Sequence, residues 1–215
     1  MARPEITILY VDDALLVLDK PPGLLSVPGR GEDKQDCLST RAVGLYPDAR
    51  IVHRLDMATS GVMVMARNAT IQRDLSAAFA GRNVKKCYVA VVDGCLASPD
   101  EAWGVIDLPI LVDWPNRPLR IIDPLNGNPS VTRWRVLSHD SAANTTRVEL
   151  EPVTGRSHQL RLHLLALGHA IVGDTLYASA RVQAMATRML LHACSLELAH
   201  PVSAQPMRFA SAAPF

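Results

Sequence analysis

The sequence predicts an α+β fold, in which helices pack on a mixed, mostly antiparallel β-sheet. Three observations support this class. Strand patterns outnumber helix patterns, several strand patterns follow one another with no helix between them, and no internal repeat is present. A strict alternation of strands and helices would instead have indicated a doubly wound parallel sheet. The 215 residues, 48% of them hydrophobic, suffice for one sizeable core, so we expect a single domain over residues 1–215.

The first elements of the chain are predicted to be a β-hairpin and a short helix. Two β-rich runs, Ile6–Val11 and Leu15–Asp19, flank a pair of aspartates, which are typical turn residues. An irregular loop rich in proline and glycine follows them. Asp36 is a plausible N-cap for the short helix, which Pro47 would end.

A strand, a helix and a second strand are predicted next. The apolar run Val62–Ala66 is typical of a buried strand. Asn68 is the expected N-cap of the helix, and Gly81 is the residue expected to stop it. Val84–Asp93 then reads as a strand.

The second half of the chain combines Pro-rich turns with further strands. Asn126-Gly127 is a hairpin signal, and Gly168 is expected to end a helix that follows the turn Thr154–Arg156. The remaining elements are predicted to be two strands, one helix and two closing strands: Val131–Leu137, Thr145–Pro152, Ser157–Leu167, Met189–Leu198 and Met207–Ala210.

The net charge of +1 does not by itself indicate a nucleic-acid partner. The distribution of charge is more informative, because basic residues form four local clusters: Lys85–Lys86, Arg117–Arg120, Arg133–Arg135 and Arg156–Arg161. On one shared face, these clusters would suit a structured RNA. On different faces, they would be ordinary solvated charges.

No apolar run is long enough to span a membrane, and the N-terminus lacks a signal-peptide pattern, so we expect a cytoplasmic protein. The four cysteines are Cys37, Cys87, Cys95 and Cys194. They form no C-x-x-C pair and match no zinc module, which predicts reduced thiols and no metal site.

One stretch, Ile51–Ala66, combines polar side chains with flanking apolar runs. Arg54 and Asp56 lie in its polar part, which is predicted to be a loop before a buried strand. Functional side chains are often carried by loops that rigid elements hold in place. The alternative is an ordinary turn, in which the Asp56 carboxylate accepts backbone N–H groups.

Several segments of the chain resemble the RluA family of pseudouridine synthases. The first is HRLDMATSGVMVMA, which is similar to that family's long contiguous signature. Five more segments follow the family's pattern in its order: KPPGLLSVPG, KKCYVA, DWPNRP, PVTGRSHQLRLH and LLHA. DWPNRP and LLSVPG are closest to the RluA branch itself, which acts on both tRNA and 23S rRNA. The segment Leu119–Ile122 departs from the more polar run expected after DWPNRP.

The resemblance implies a pseudouridine synthase fold with a central catalytic cleft. Some relatives carry an additional N-terminal RNA-binding domain, and we expect none here because no stretch of the sequence would form it. It implies Asp56 as the essential catalytic residue, with no cofactor or metal. Pseudouridine formation breaks the N1–C1′ bond of uridine and rejoins the base through C5. The ionised carboxylate could attack C1′, attack C6 or remove a sugar proton, and the sequence does not choose among these.

Two further catalytic residues are implied. Arg156 is the counter-ion of Asp56 in the family, and such a pair lowers the pKa of the carboxyl group. On the family pattern, Tyr88 would stack on the target uracil and could act as the base that removes the C5 proton, and a phenol is suited to both roles. Without the resemblance, Arg156 would be a surface residue at a helix start, and Tyr88 a favoured strand residue.

The remaining residues of the implied site bind RNA or shape the loop. Arg54 would fill the space of a flipped uridine, although it could instead pair with Asp56. Leu191 would form an apolar wall for the uracil, or simply belong to a core strand. The other assignments are phosphate contacts by Lys85 and Lys86, and a loop-shaping role for Thr59, Ser60 and Gly61.

Three functions compete. The favoured one is an RNA uridine isomerase, and the branch resemblance implies a monomer that modifies uridine 32 of tRNA and uridine 746 of 23S rRNA, each in a stem-loop. The second is an RNA-binding or ribosome-assembly protein that has lost catalysis, which the presence of Asp56, Tyr88 and Arg156 disfavours. The third is a hydrolase, which the lack of a phosphate-binding or metalloprotease motif disfavours.

Overall fold

The computed structural model of the chain describes residues 6–215. The strands are β1 (Thr7–Val11), β2 (Leu15–Lys20), β3 (Arg50–Ile51), β4 (Ser60–Ala66), β5 (Lys85–Asp93), β6 (Gly104–Asp107), β7 (Ile110–Val112), β8 (Arg120–Ile122), β9 (Val131–Asp140), β10 (Thr145–Pro152), β11 (Leu191–Ala199) and β12 (Pro206–Ala210). The helices are α1 (Leu38–Leu45), α2 (Ala69–Ala80), α3 (Gln159–Ala166) and α4 (Ala180–Ala184), with a 3₁₀ turn at Glu32–Lys34. The predicted α+β class is confirmed.

The chain divides into two compact units. The first unit contains the described residues up to Lys86 together with Ala193–Pro214. The second unit contains Cys87–His192 and Phe215.

The first unit is built on antiparallel strands. β1 pairs with β2, β2 with β4, and β11 with β12. The predicted hairpin is confirmed, because the Asp12 carboxylate accepts the backbone N–H groups of Ala14 and Leu15 at 2.8 and 2.7 Å between the β1 and β2 strands. The apolar side chains of β2 and β4 are almost completely buried, and those of α2 pack against one side of them.

The helix caps of the first unit differ in part from those predicted. Cys37, not Asp36, caps α1, and Asp36 instead pairs with Arg41 at 2.6 Å. Asn68 caps α2 as predicted, accepting from the Ile71 N–H at 2.9 Å. Gly81 keeps helical dihedral angles, and the left-handed residue after α2 is Arg82, with φ of 61°.

The second unit contains antiparallel strands in the order β5-β10-β9-β6. The long predicted strands are confirmed as β5, β9 and β10. The short strands β6, β7 and β8 occupy the Pro-rich middle, where only turns were predicted, and β7 and β8 form a separate hairpin. Asn126-Gly127 lies in a turn after β8, in which the Asp123 carboxylate accepts from the backbone N–H groups of Leu125 and Asn126.

The helix α3 begins two residues later than the predicted Ser157 and ends one residue before the predicted Leu167. His158, with φ of 59°, adopts a left-handed conformation that separates the preceding turn from the helix. Gly168, with φ of 86°, follows the last turn, where a left-handed residue terminates the helix. Within residues 6–215, no helix is long and apolar enough to cross a membrane. None of the four cysteines, all in the described part, forms a disulfide.

Candidate active site

Asp56 lies in the first unit, on the loop that joins β3 to β4. Its side chain is half-buried, between the buried Leu55 and the exposed Met57. The Asp56 carbonyl accepts the Thr59 N–H at 3.1 Å, which closes a tight turn before the strand. The predicted arrangement of a polar loop followed by a buried strand is therefore confirmed.

A buried serine holds the residue before Asp56. The Ser26 hydroxyl donates to the Leu55 carbonyl at 2.7 Å and accepts the Leu55 N–H at 3.1 Å. Both polar backbone groups of Leu55 are thus satisfied by one side chain, which is 3% exposed. Because buried backbone groups are costly to leave unpaired, this contact fixes the backbone on one side of Asp56.

A buried lysine holds the residue after Asp56. The Lys20 ammonium group donates to the carbonyl oxygens of Pro21, Leu24 and Met57, at 2.9, 2.7 and 3.1 Å. The Gly23 N–H donates to the same Met57 carbonyl at 2.8 Å. The segment Lys20–Gly29 therefore hydrogen-bonds to the backbone of the residues on both sides of Asp56, Leu55 and Met57.

His53 ties the start of the same loop to β4. Its Nε2 accepts the Val64 N–H at 3.0 Å, and its ring stacks on Phe79 with centroids 4.4 Å apart. Burial, with a smaller contribution from the charge of Lys86, lowers the pKa of His53 to about 3. An imidazole nitrogen that accepts a backbone N–H cannot also carry a proton, so the hydrogen bond and the lowered pKa agree. His53 is neutral at physiological pH.

The three residues assigned to shape the loop are all buried. Thr59 and Ser60 are each 3% exposed. Gly61 has φ of 114°, and a Cβ atom there would lie 2.3 Å from the Ala193 carbonyl oxygen. This position therefore requires glycine both for its backbone conformation and for the approach of β11.

The predicted RNA-binding residues of the first unit differ in exposure. Arg54 and Lys85 are exposed, which suits contacts with RNA. Lys86 is half-buried, and burial lowers the pKa of its ammonium group. Lys85 is consequently a better candidate for a phosphate contact than Lys86, and both assignments stay predictions.

Tyr88 and Leu191 belong to the second unit. Tyr88 is half-buried in β5, where it is opposite Leu150 of β10. Leu191 begins β11 and is 3% exposed. The preceding residue, Leu190, accepts the Val91 N–H at 3.1 Å, so β5 supports this end of β11. The stacking role of Tyr88 and the wall role of Leu191 stay predictions.

Arg156 also lies in the second unit, in the turn before α3. Its side chain is exposed, and its Nε donates to the Pro129 carbonyl at 3.3 Å. Gln159 holds the turn from inside, because its Oε1 accepts the Arg156 N–H at 3.0 Å and the Thr154 hydroxyl at 2.7 Å. Its amide group donates to the Val131 carbonyl at 3.0 Å. The pairing of Arg156 with Asp56 stays a prediction.

The four basic clusters of the sequence do not contribute equally. Arg161 is buried and forms a bidentate pair with Asp174 at 2.6 and 2.8 Å, so it supports the fold of the second unit. Arg133 pairs with Glu151, and Arg135 pairs with Glu149. The positive charge of these three arginines is offset by carboxylates, so they are poor candidates for phosphate contacts.

The structure therefore places the predicted residues in two groups. The first unit holds Arg54, Asp56, Thr59, Ser60, Gly61, Lys85 and Lys86, and the second holds Tyr88, Arg156 and Leu191. Sequence reasoning overlooked the side chains that hold these residues in place, above all Ser26, His53 and Gln159. Each lies inside a segment that carries the family resemblance, but each also bonds a residue well outside its local motif. Ser26 bonds Leu55, His53 bonds Val64 and Gln159 bonds Val131, which lie 29, 11 and 28 positions away.

Comparisons with known proteins agree with the resemblance. A family model described as RNA pseudouridylate synthase matches residues 14–166. The Dual-specificity RNA pseudouridine synthase RluA of Escherichia coli strain K12 is 50% identical over 213 residues, which cover 99% of this chain and 95% of that protein. The protein of the same name from Yersinia pestis is 47% identical over 208 residues, covering 97% and 99%.

Solved structures give the same result for the fold. Human RNA Pseudouridylate Synthase Domain Containing 1 matches with a TM-score of 0.80 and 30% identity, covering 98% of this chain and 84% of that chain. Human RNA Pseudouridylate Synthase Domain Containing 4 matches with a TM-score of 0.74 and 28% identity, covering 97% and 88%. The predicted pseudouridine synthase fold is confirmed.

Proposed function

Because this chain belongs to the RNA pseudouridylate synthase family and is an RNA pseudouridine synthase, we propose that it modifies both tRNA and 23S rRNA. The proposed targets are uridine 32 in the tRNA anticodon stem-loop and uridine 746 in a 23S rRNA stem-loop. The support is the near-full-length identity of 50% to a relative named as dual-specific. Both targets would have to present a uridine that can leave its stack, since the reacting base must be flipped out.

Asp56 is the proposed catalytic carboxylate. The observation that carries this assignment is the set of hydrogen bonds on both of its neighbours, from Ser26 to Leu55 and from Lys20 to Met57. A loop residue held so closely can present its side chain in one geometry, as positioned catalysis requires. The half-buried carboxylate would act in its ionised form during cleavage of the N1–C1′ bond.

The other proposed roles follow the family pattern. Arg156 is assigned as the counter-ion of Asp56, and Tyr88 as the group that stacks on the uracil and removes its C5 proton. Leu191 would form the apolar wall for the base, and Arg54 would fill the space that the flipped uridine leaves. Among the lysines, the exposed Lys85 is preferred for a phosphate contact.

The proposed organisation is a single catalytic domain that acts as a monomer on RNA in the cytoplasm. The family model runs from residue 14 to residue 166 and therefore includes parts of both compact units, which supports one catalytic domain. Proposed substrates of this kind, tRNA and ribosomal RNA, are cytoplasmic molecules in bacteria such as the Escherichia coli source of the relative.

The test is pseudouridine mapping of total RNA from cells that lack this protein, by carbodiimide labelling and primer extension. The cells are complemented with wild type, with Asp56→Asn, or with Asp74→Asn, a matched control at an exposed position of α2. We expect both pseudouridines to be lost without the protein and restored by wild type and Asp74→Asn. Asp56→Asn should restore neither, because it keeps the shape of the side chain and removes its charge.

Each other result has a definite meaning. If different uridines respond, the enzyme class is retained and the two proposed sites are wrong. If Asp56→Asn restores modification, Asp56 is not the catalytic carboxylate. If no uridine responds, the alternative of an RNA-binding protein without turnover becomes the better description.

A further inference from the structure

An exposed tryptophan in the second unit is stacked with an arginine. Trp114 is 66% exposed, although it is a large aromatic side chain. The Arg117 guanidinium carbon lies 3.3 Å from the centroid of the Trp114 ring. The arginine covers one face of the indole, and a side chain that is 66% exposed leaves its opposite face accessible to solvent.

The loop that carries this pair is held by its own hydrogen bonds. The Asp113 carboxylate accepts from the backbone and side-chain nitrogens of Asn116, at 3.0 to 3.3 Å. The Asn116 carbonyl accepts the Leu119 N–H at 3.0 Å, and the Asp113 N–H donates to the Leu119 carbonyl at 3.2 Å. The loop closes the hairpin of β7 and β8, so the ring is presented by a preorganised turn.

The same hairpin is joined to the helix start that follows Arg156. The Arg120 N–H in β8 donates to the Tyr177 hydroxyl at 2.9 Å. That hydroxyl lies 2.6 Å from His158 Nδ1, and His158 immediately precedes α3. The tryptophan is therefore fixed relative to the turn that carries a proposed catalytic residue.

A second tryptophan in this unit provides an internal comparison. Trp103 is half-buried and lies beneath two guanidinium groups, those of Arg133 and Arg135, at 4.8 and 4.7 Å. Those arginines are paired with Glu151 and Glu149, which offset the positive charge. At Trp114 the cation lies directly on the ring, and the ring itself is exposed.

We propose that the stacked pair of Trp114 and Arg117 is a binding site for an unpaired nucleobase of the RNA substrate. The base would stack on the open indole face, giving a base–indole–guanidinium stack. Aromatic side chains bind unpaired bases in this way, and a nearby arginine favours the adjoining phosphodiester chain. The inference rests on the proposed function for the identity of the RNA, and it adds a contact outside the uridine-binding residues.

The first measurement is a tryptophan fluorescence titration with a synthetic anticodon stem-loop RNA. A base stacked on Trp114 should quench part of the emission of wild-type protein. The quench should be lost in Trp114→Phe and retained in Trp103→Phe. A fully paired RNA duplex of the same composition offers no unpaired base, so it should give no Trp114-dependent quench. Absence of this component with the stem-loop would overturn the proposal.

The second measurement compares the kinetics of pseudouridine formation in variants. Trp114→Ala should raise KM for the stem-loop roughly tenfold with little change in kcat, as expected for loss of one stacked base. Trp114→Phe, which retains a ring, should raise KM less. Trp103→Ala is the matched control, and thermal unfolding establishes that the variants are folded. An unchanged KM in folded Trp114→Ala would contradict the proposal.

The two experiments also separate this inference from the proposed function. If wild type does not convert the stem-loop uridine, the proposed substrate is wrong. The Trp114-dependent quench then still decides whether this surface binds unpaired RNA.

Discussion

Ser26 is the side chain that most directly positions the loop of Asp56, because it bonds both backbone groups of Leu55. Ser26→Ala should lower the free energy of unfolding by about 1–3 kcal/mol, since both backbone groups of a buried residue lose a partner. It should also lower kcat more than it raises KM, because the carboxylate is displaced and not removed. Urea unfolding and steady-state kinetics measure the two effects.

The control for this prediction is Ser76→Ala, at an exposed position of α2. Ser26→Thr keeps a hydroxyl group and should recover part of the activity. A Ser26→Ala enzyme with the kcat of wild type would show that this hydrogen-bonded contact does not position the catalytic group.

His53 makes stability depend on pH in the acidic range. Its pKa is about 3 in the folded chain and near 6.5 in an unfolded one. Between these values the unfolded chain binds a proton that the native chain does not, so the free energy of unfolding should fall as pH decreases from about 6.5 towards 3. His53→Gln can still accept the Val64 N–H and does not titrate, so its stability should fall less steeply over that range.

Urea unfolding measured at several pH values tests this difference between wild type and His53→Gln. The exposed His139, replaced by glutamine, is the control. Parallel pH profiles for wild type and His53→Gln would refute the prediction.

At the scale of an element, the start of α3 depends on a side chain and not on helix propensity. Gln159 satisfies the Arg156 N–H, the Thr154 hydroxyl and the Val131 carbonyl together. Gln159→Leu preserves the volume approximately and removes these three hydrogen bonds, although the Val131 carbonyl still accepts the Val153 N–H at 3.0 Å. We expect a loss of about 2–4 kcal/mol in the free energy of unfolding and a lower kcat, because the turn carrying Arg156 loosens.

Gln183→Leu is the matched control, since the Gln183 amide donates one hydrogen bond, to the Ala178 carbonyl. Thermal unfolding and turnover are measured for both variants. If Gln159→Leu loses stability and keeps full kcat, the contact supports the fold of the second unit without positioning Arg156.

Helix and strand boundaries could be predicted where the residues that set them lie close together in the sequence. Asn68 caps α2 because its side chain reaches an N–H three residues away, which the sequence displays directly. Asp36 failed as a cap because Arg41 binds its carboxylate and Cys37 takes its place. The strands β6 to β8 were missed because short strands among prolines carry too few residues to show a period.

For the whole molecule, ion pairing reduces the charge available to RNA. The net charge is +1, and the arginines 133, 135 and 161 are paired with carboxylates. If about three phosphates are neutralised, the slope of log K against log salt for the stem-loop should be roughly −2 to −3. Lys85→Gln should make the slope less steep by about one, whereas Arg133→Gln should leave it unchanged.

Fluorescence anisotropy at a series of salt concentrations gives these slopes. A wild-type slope steeper than about −6 would mean that roughly seven or more phosphates are neutralised, which contradicts the assumed three. An equal change in Lys85→Gln and Arg133→Gln would contradict the assignment of Lys85.

The sequence by itself determined the fold class, the family and the candidate catalytic residues, because contiguous motifs such as HRLDMATSGVMVMA express them locally. Only the tertiary structure revealed how these residues are held. Ser26 reaches Leu55 across 29 positions, and Gln159 reaches Val131 across 28. The structure also showed that Trp114 is much more exposed than the other two tryptophans, and that Lys85 is exposed whereas Lys86 is half-buried. Burial and long-range hydrogen bonds depend on residues far apart in the chain, so no local pattern encodes them.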